Sequence, residues 1–337
     1  MNSLKNKKIL ITGADGFIGS HLTEKLIKLN CDIRAMTMYN SFNNWGWLDS
    51  LTKEELKNID IVNGDIRDVK FVNSACENID VIFHLASLIA IPYSYNSPSS
   101  YINTNINGTL NILEAALQNN VQKIIHTSTS EVYGESNMIS ISEKSNVISR
   151  SPYAATKIGA DQLAYSYFSS FDLPVSIIRP FNTYGPRQSS RAIIPTIITQ
   201  LLSGKKKIKL GSLYPTRDFC FIDDTVSGFL NVALHKKSIG EVVNVGSGQE
   251  ISIKELVTLI GDIIGVKVST ISDKKRIRPK SGEVDRLKAD IKKAKKLIKW
   301  TPKFTGKNGL KKGLHKTIKW FSNKENLKKY KFDIYNI

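Results

Sequence analysis

The chain is short of cysteine, with three in 337 residues, and short of acid, with 30 Asp and Glu against 48 Lys and Arg. Cys31, Cys76 and Cys220 are odd in number and widely spaced. They match neither a disulfide framework nor a zinc-ligand pattern, so they read as small buried residues and no metal is expected. No run of eighteen apolar residues occurs, and the opening MNSLKNKKIL has no apolar signal segment, because ILITG turns at once into a glycine loop. No membrane partner is expected, and the expected location is cytoplasmic. The acid shortage leaves a net charge of +18, clustered at Lys205 to Lys207, Lys274 to Lys280 and Lys292 to Lys299. These clusters carry no interleaved aromatics, so they read as solvated faces and no nucleic-acid partner is expected. A few of the charges suit an anionic small substrate better.

With 41% hydrophobic and 23% charged residues, the composition fits a globular protein of one large or two coupled domains. Strand-like runs alternate with amphipathic helical stretches through the first half: KILIT, a helix near Phe17 to Leu29, DIRAM, IDIVNG, VIFHLA, a helix near Ser99 to Gln118, then KIIHTS. Such alternation predicts an α/β fold, a Rossmann-type doubly wound parallel sheet with helices on both faces. A further helix should start at Ser151-Pro152, where Ser caps and Pro fits the first turn. Beyond PVSIIRP the pattern loosens, then returns as DFCFI, DDTVSGFLNVALH and EVVNVG, and the tail from Ile251 reads as short helices with many charges. The expected organisation is a cofactor domain over residues 1–182, with 218–247 returning to it, and a smaller substrate-binding lobe over 183–217 and 248–337.

ITGADGFIGSHL places Gly13, Gly16 and Gly19 between a strand and a helix that opens with Phe17-Ile18. Glycines there allow a tight turn and close backbone approach, and the helix N-terminus offers free N–H groups to a pyrophosphate. The expected cofactor is therefore a dinucleotide, NAD in first place. An NAD-selecting acid is expected at the end of the second strand, but Asp32 precedes IRAM and sits at its wrong end, leaving Met36, Thr37 and Met38 there. No Arg follows them to grip a 2′-phosphate. Asp65-Ile66, after the third strand, suits contact with the adenine.

Tyr153 and Lys157 in YAATK are four apart and share one helix face. A phenol is a poor base at neutral pH; a nearby ammonium and a nicotinamide cation would lower its pKa enough to take a proton from a sugar hydroxyl. Upstream, STSEVYG packs Ser128, Thr129, Ser130 and Glu131 into one strand-to-loop junction.

Through TGADGFIG, HLA, NTNINGTLNILEAA, STSEVYG, SPYAATK and RPFNTYGPRQ, nearly the whole chain resembles the extended short-chain dehydrogenase/reductases of the NAD-dependent epimerase/dehydratase family. YNSFNNWGWLDS, LIAIPYSY and RQSSRAIIPTIITQ carry a closer resemblance to the nucleotide-sugar 4,6-dehydratases of legionaminic acid biosynthesis. The resemblance implies oxidation at sugar C4 with Tyr153 removing the O4 proton and Thr129 orienting that hydroxyl. Glu131 then removes the C5 proton, water leaves from C6, and hydride returns to C6. It puts Leu85 and Ala86 of HLA at the cofactor. Asn182, Arg217 and Arg278 fall at the substrate diphosphate, with Arg191 nearby, and the likeness implies a homodimer. Trp45 and Trp47 suit a sugar pocket or an ordinary core equally well.

Glucose-type dehydratases carry Thr-Asp-Glu where this chain has Thr129-Ser130-Glu131. A serine hydroxyl is too weak an acid to replace the Asp. Either Glu131 both removes and delivers the proton, or Ser130 positions a water or the substrate hydroxyl. Ser-Glu before VYG also resembles the nucleotide-sugar uronate decarboxylases, which makes decarboxylation the nearest rival. A 4-epimerase needs no carboxylate at 131. A nucleotide-sensing or RNA-associated relative would have no need of Tyr153, Lys157 and Glu131 together.

Overall fold

Strand β1 (Lys8–Thr12) sends Ile9 and Ile11 to one face of a sheet and Leu10 to the other, and all three are fully buried. That two-sided burial is what a parallel sheet covered by helices demands. In the computed structural model, which describes residues 3–135, 138–279 and 282–335, β1 is joined by β2 (Asp32–Met38), β3 (Ile59–Gly64), β4 (Val81–His84), β5 (Lys123–Thr127) and β6 (Val175–Pro180). The Val242–Val245 strand completes a seven-stranded sheet. Outward from β1 the order is β2, β3 on one side and β4, β5, β6, Val242–Val245 on the other, every pair parallel. This is the doubly wound α/β arrangement, and its reversal of direction at β1 opens a crevice at the strands' carboxyl ends.

Helices Phe17–Ile27 and Ile222–Leu234 cover one face with Leu22, Leu26, Phe229 and Val232. Helices Val69–Ala75, Gly108–Gln118 and Pro152–Phe171 cover the other with Val72, Ile112, Leu113 and Ala164. Ser151 caps Pro152–Phe171 by accepting a 3.1 Å hydrogen bond from the Ala154 N–H, with Pro152 in the first turn. Cys31, Cys76 and Cys220 are all buried free thiols.

Two expectations need correction. The helix expected over Ser99–Gln118 is interrupted: Pro98–Tyr101 is α-helical, Ile102–Asn107 is a π-helical turn, and α-helix resumes at Gly108. The turn is held from outside, since Asn105 accepts from the Leu88 N–H at 2.8 Å and donates to the Leu88 carbonyl and the Thr156 hydroxyl, both at 3.0 Å. The region after Ile251 holds more than short helices, because Ile253–Ile264 and Gly306–Phe321 run for 12 and 16 residues. The charges there hide a regular apolar stripe: Leu256, Val257, Ile260, Leu314 and Ile318 join the same core cluster as Ile9 and Phe83.

Outside the main sheet, DFCFI pairs through Phe219–Phe221 with Asn182–Tyr184. Thr216–Arg217 lies between Ile251–Ser252 and Arg286–Leu287. The Asp218 carboxylate ties this region together, accepting from the backbone N–H groups of Ser247, Gly248 and Ala289 at 2.7, 2.9 and 3.1 Å. Of the lysine-rich clusters, Lys280 lies outside the described residues. Among the described residues no helix is long and apolar enough to cross a membrane.

Candidate active site

The crevice at the strand ends is a cavity of about 900 Å³. At its sheet side Gly13 has φ +69° and lies so close to the next strand's loop that a Cβ would come within 2.9 Å of the Ala86 nitrogen. A Cβ on Gly19 would stand 2.1 Å from the Gly13 carbonyl oxygen. Gly16 precedes helix Phe17–Ile27 in an extended conformation, with no side-chain cap and no acid in the first turn. The first helical N–H groups therefore face the cavity without an internal anion, a cradle that fits a dinucleotide pyrophosphate. Thr12 fixes the opposite wall, its hydroxyl oxygen accepting from the Leu85 and Ala86 N–H groups at 3.1 Å. Phe17, Ile18, Asp65 and Ile66 also line the cavity.

At the end of β5, Thr129 opens a single 3-10 turn over Ser130–Tyr133, its hydroxyl accepting from the Glu131 N–H at 3.2 Å. That turn sends Thr129, Ser130 and Glu131 into the cavity, where Tyr153 and Lys157 of the long helix also arrive. Thr129 hydrogen-bonds the Tyr153 phenol, which favours the phenolate, but burial dominates and holds the Tyr153 pKa well above the usual phenol value. The expected lowering by Lys157 is thus corrected: at a site this dry, removing the phenolate from water outweighs what the chain supplies to stabilise it. Burial also brings Lys157 down to about 8, opposed by the charge of Asp161 one turn along the helix.

Beneath these residues lies a buried polar core. Asp161 accepts from the Ser128 hydroxyl at 2.7 Å and from Arg179 Nη2 and Nε at 2.9 and 3.2 Å, while His126 Nε2 stands 3.2 Å from its other oxygen. Burial acts against the charge on Asp161, yet its hydrogen bonds and the Arg179 charge hold its pKa below the usual carboxylate value. Ser128 immediately precedes Thr129, so this core anchors the backbone that presents the turn.

The lobe contributes charged side chains. Arg278 Nη1 lies 3.4 Å from Glu131 Oε2, and Arg217 Nη2 lies 3.2 Å from Glu283 Oε1. Glu131 and Glu283 keep the Arg278 pKa high despite burial, whereas burial lowers that of Arg217. The Asn182 Oδ1 atom is buried and has no hydrogen-bond partner among the described residues, although the residue lines the cavity. Arg191 also borders it but is exposed, its Nε donating to the Ser189 hydroxyl at 3.3 Å.

The model of the GDP-mannose 4,6-dehydratase family matches residues 10–313, a span that holds the glycine turn, the β5 turn and the paired arginines. The chain belongs to this family. It is thereby one of the extended short-chain dehydrogenase/reductases with dehydratase and epimerase members. The dTDP-glucose 4,6-dehydratase of Streptomyces antibioticus is 31% identical over 320 residues, 93% of this chain and 92% of that protein. The dTDP-glucose 4,6-dehydratase DesIV of Streptomyces venezuelae, solved with NAD bound, superposes with a TM-score of 0.82 at 29% identity, covering 94% of this chain and 98% of that one. The UDP-N-acetylglucosamine 4-epimerase of Methanobrevibacter ruminantium, solved with UDP-N-acetylmuramic acid, superposes with a TM-score of 0.83 at 29% identity and covers 94% and 98%.

Within this family member some expected residues are engaged in ways the sequence did not suggest. Asp65 is gripped by Arg67, which also borders the cavity and went unnoticed two residues away in DIRD. The pairing lowers the Asp65 pKa. Trp47 belongs to the core: it stacks on Tyr330 with ring centroids 6.1 Å apart and meets Trp320 edge-on at 5.5 Å. Neither Trp47 nor Trp45 lines the cavity. Asp32 is exposed at the start of β2, and Asp15 instead reaches that strand's far end, its Oδ2 accepting from the Met38 N–H at 3.2 Å. Tyr335 and Glu283 were also missed, because neither falls in a local motif.

Proposed function

We propose that the protein is an NAD-dependent nucleotide-sugar 4,6-dehydratase acting on a UDP- or GDP-linked N-acetylglucosamine and forming the 4-keto-6-deoxy sugar. The observation that carries the reading is Glu131, a carboxylate brought to the same cavity as Thr129, Tyr153 and Lys157. A simple 4-epimerase has no task for it. The narrower motifs, YNSFNNWGWLDS and RQSSRAIIPTIITQ, support an N-acetylated substrate and a role in making legionaminic acid or a related deoxy sugar.

In this reading Gly13, Gly16 and Gly19 with Phe17 and Ile18 hold the pyrophosphate of NAD, Leu85 and Ala86 wall it, and Asp65-Ile66 takes the adenine side. What NAD supplies when bound is a reversible hydride acceptor beside the sugar ring. Tyr153 takes the O4 proton, Thr129 orients that hydroxyl, and the Lys157 ammonium stabilises the phenolate. Once C4 is a ketone, Glu131 removes the acidified C5 proton and delivers it to the departing O6, so that water leaves and charge balances. Arg278 holds the Glu131 carboxylate, and Ser130 positions the C6 hydroxyl. Asn182, Arg191 and Arg217 with Arg278 bind the diphosphate. Residues 1–182 with 218–247 serve the cofactor, and 183–217 with 248–337 the substrate. Exposed Ile102, Tyr165 and Phe171 on the two neighbouring helical stretches support a homodimer through that face.

Incubation with UDP- and GDP-N-acetylglucosamine, followed by product mass, tests the reading. Loss of water is expected; no mass change would identify an epimerase. Loss of CO2 from a uronate substrate would identify the decarboxylase that Ser130-Glu131 also resembles. Glu131→Gln is expected to retain C4 oxidation while slowing dehydration by roughly 10²- to 10⁴-fold. Undiminished deuterium exchange at C5 in that variant would remove Glu131 as the base.

A further inference from the structure

The C-terminal tail lies beyond residue 313, where the family match stops, yet it reaches the cavity. Three contacts pin it. Tyr330 packs against Trp47 and against Phe321, the latter with ring centroids 4.9 Å apart. Lys205 Nζ lies 4.9 Å over the Phe332 ring, and the Arg276 guanidinium carbon lies 4.2 Å over the Tyr335 ring. Arg276 is held in turn by Asp273, whose Oδ2 accepts from its Nε at 3.1 Å. Its backbone passes so close to Gly211 that a Cβ there would stand 2.5 Å from the Arg276 carbonyl oxygen.

Tyr335, Arg276, Gly211 and Arg278 all border the cavity that holds Glu131. The charges of Arg276, Arg278 and Arg191 all act on the Tyr335 phenol. The tail thus adds an aromatic ring and a hydroxyl to the arginine-bearing part of the site. A nucleoside diphosphate has an aromatic base for the ring to pack on and anionic oxygens for the hydroxyl and guanidinium groups to meet.

We propose that Tyr335 is a substrate-binding residue, supplied by the tail and held by Arg276, that contacts the nucleoside diphosphate of the substrate. The proposal rests on the nucleotide-sugar reading above. It explains why Trp47, in the motif that set this chain apart, is spent on docking Tyr330: the dock sets where the last residues of the tail run.

The test titrates full-length protein calorimetrically with UDP, GDP and NAD, comparing wild type with Tyr335→Ala and Tyr335→Phe. Alanine is expected to weaken the tighter nucleoside diphosphate about tenfold, the range of losing one base–aromatic stack. KM for the sugar nucleotide should rise with it, while kcat, NAD affinity and the melting temperature hold. Phenylalanine is expected to restore most of the binding. Unchanged or tighter diphosphate binding by the alanine variant would overturn the proposal, the tighter case marking the tail as an obstruction. A parallel fall in NAD affinity and melting temperature would also overturn it, as a merely structural role. Wild-type protein that binds neither diphosphate would remove the functional reading as well, whereas wild-type binding without an alanine effect removes Tyr335 alone.

Discussion

The two sides of the cavity are built in opposite ways. On the sheet side, Gly13 to Gly19 form one unbroken turn in which backbone meets backbone, and the ionic groups beneath it, Asp161 and Arg179, are buried with side chains 3% and 5% exposed. On the lobe side, Glu131, Arg217, Arg278 and Glu283 come from separate segments, and the Glu131–Arg278 pair keeps its two side chains 12% and 23% exposed. A site made of close-packed backbone tolerates almost no added volume and recognises what every dinucleotide shares. Long charged side chains held by one another can be re-aimed by single substitutions, so differences in sugar and base are best read there.

The largest expected effect comes from adding volume to the sheet side. Gly19→Val puts a branched Cβ against the Gly13 carbonyl, and NAD binding should vanish in a fluorescence titration while UDP or GDP binding on the lobe side persists. Loss of both would mean the two sides are not separable. Next is Asp161→Ala, which leaves Arg179 buried and unpaired and should cost about 3–5 kcal/mol in chemical denaturation. An effect below about 1 kcal/mol would mean that the buried pair is no firmer than an exposed one. The smallest effect is a pH limb. With its pKa near 8, Lys157 is protonated below that pH and loses its charge as pH rises through it, so kcat/KM should fall on the alkaline side of about 8. Asp161 raises that value, so Asp161→Asn should move the limb to lower pH; a limb that stays put would detach it from Lys157.

The sheet side was readable because its signals are local. A strand, three glycines and a helix within twelve residues force one geometry, and the i, i+4 spacing of Tyr153 and Lys157 fixes their shared face once the helix is known. Capping at Ser151 was visible for the same reason. The lobe side was readable only by likeness. Its strands at Thr216–Arg217, Ile251–Ser252 and Arg286–Leu287 are two residues long, too short for any period to show. Arg278 meets Glu131 across 147 positions of sequence, and no spacing rule reaches that far. The Tyr153 pKa was misjudged for another reason: a motif names the charges near a phenol but not the water it loses.

The π-helical turn at Ile102–Asn107 sets a phase. Thr104, inside it, borders the cavity, while Thr109, just beyond it, lies within 3.0 Å of His84 Nε2 in the interior. An α-helix advances about 100° per residue, so removing one residue from this turn would regularise the helix and rotate everything after it by roughly that angle. The inward stripe of Ile112, Leu113 and Ala116 would then leave the sheet. Substitutions along 98–118 can accumulate singly, but a change of length there would have to be answered by a second one.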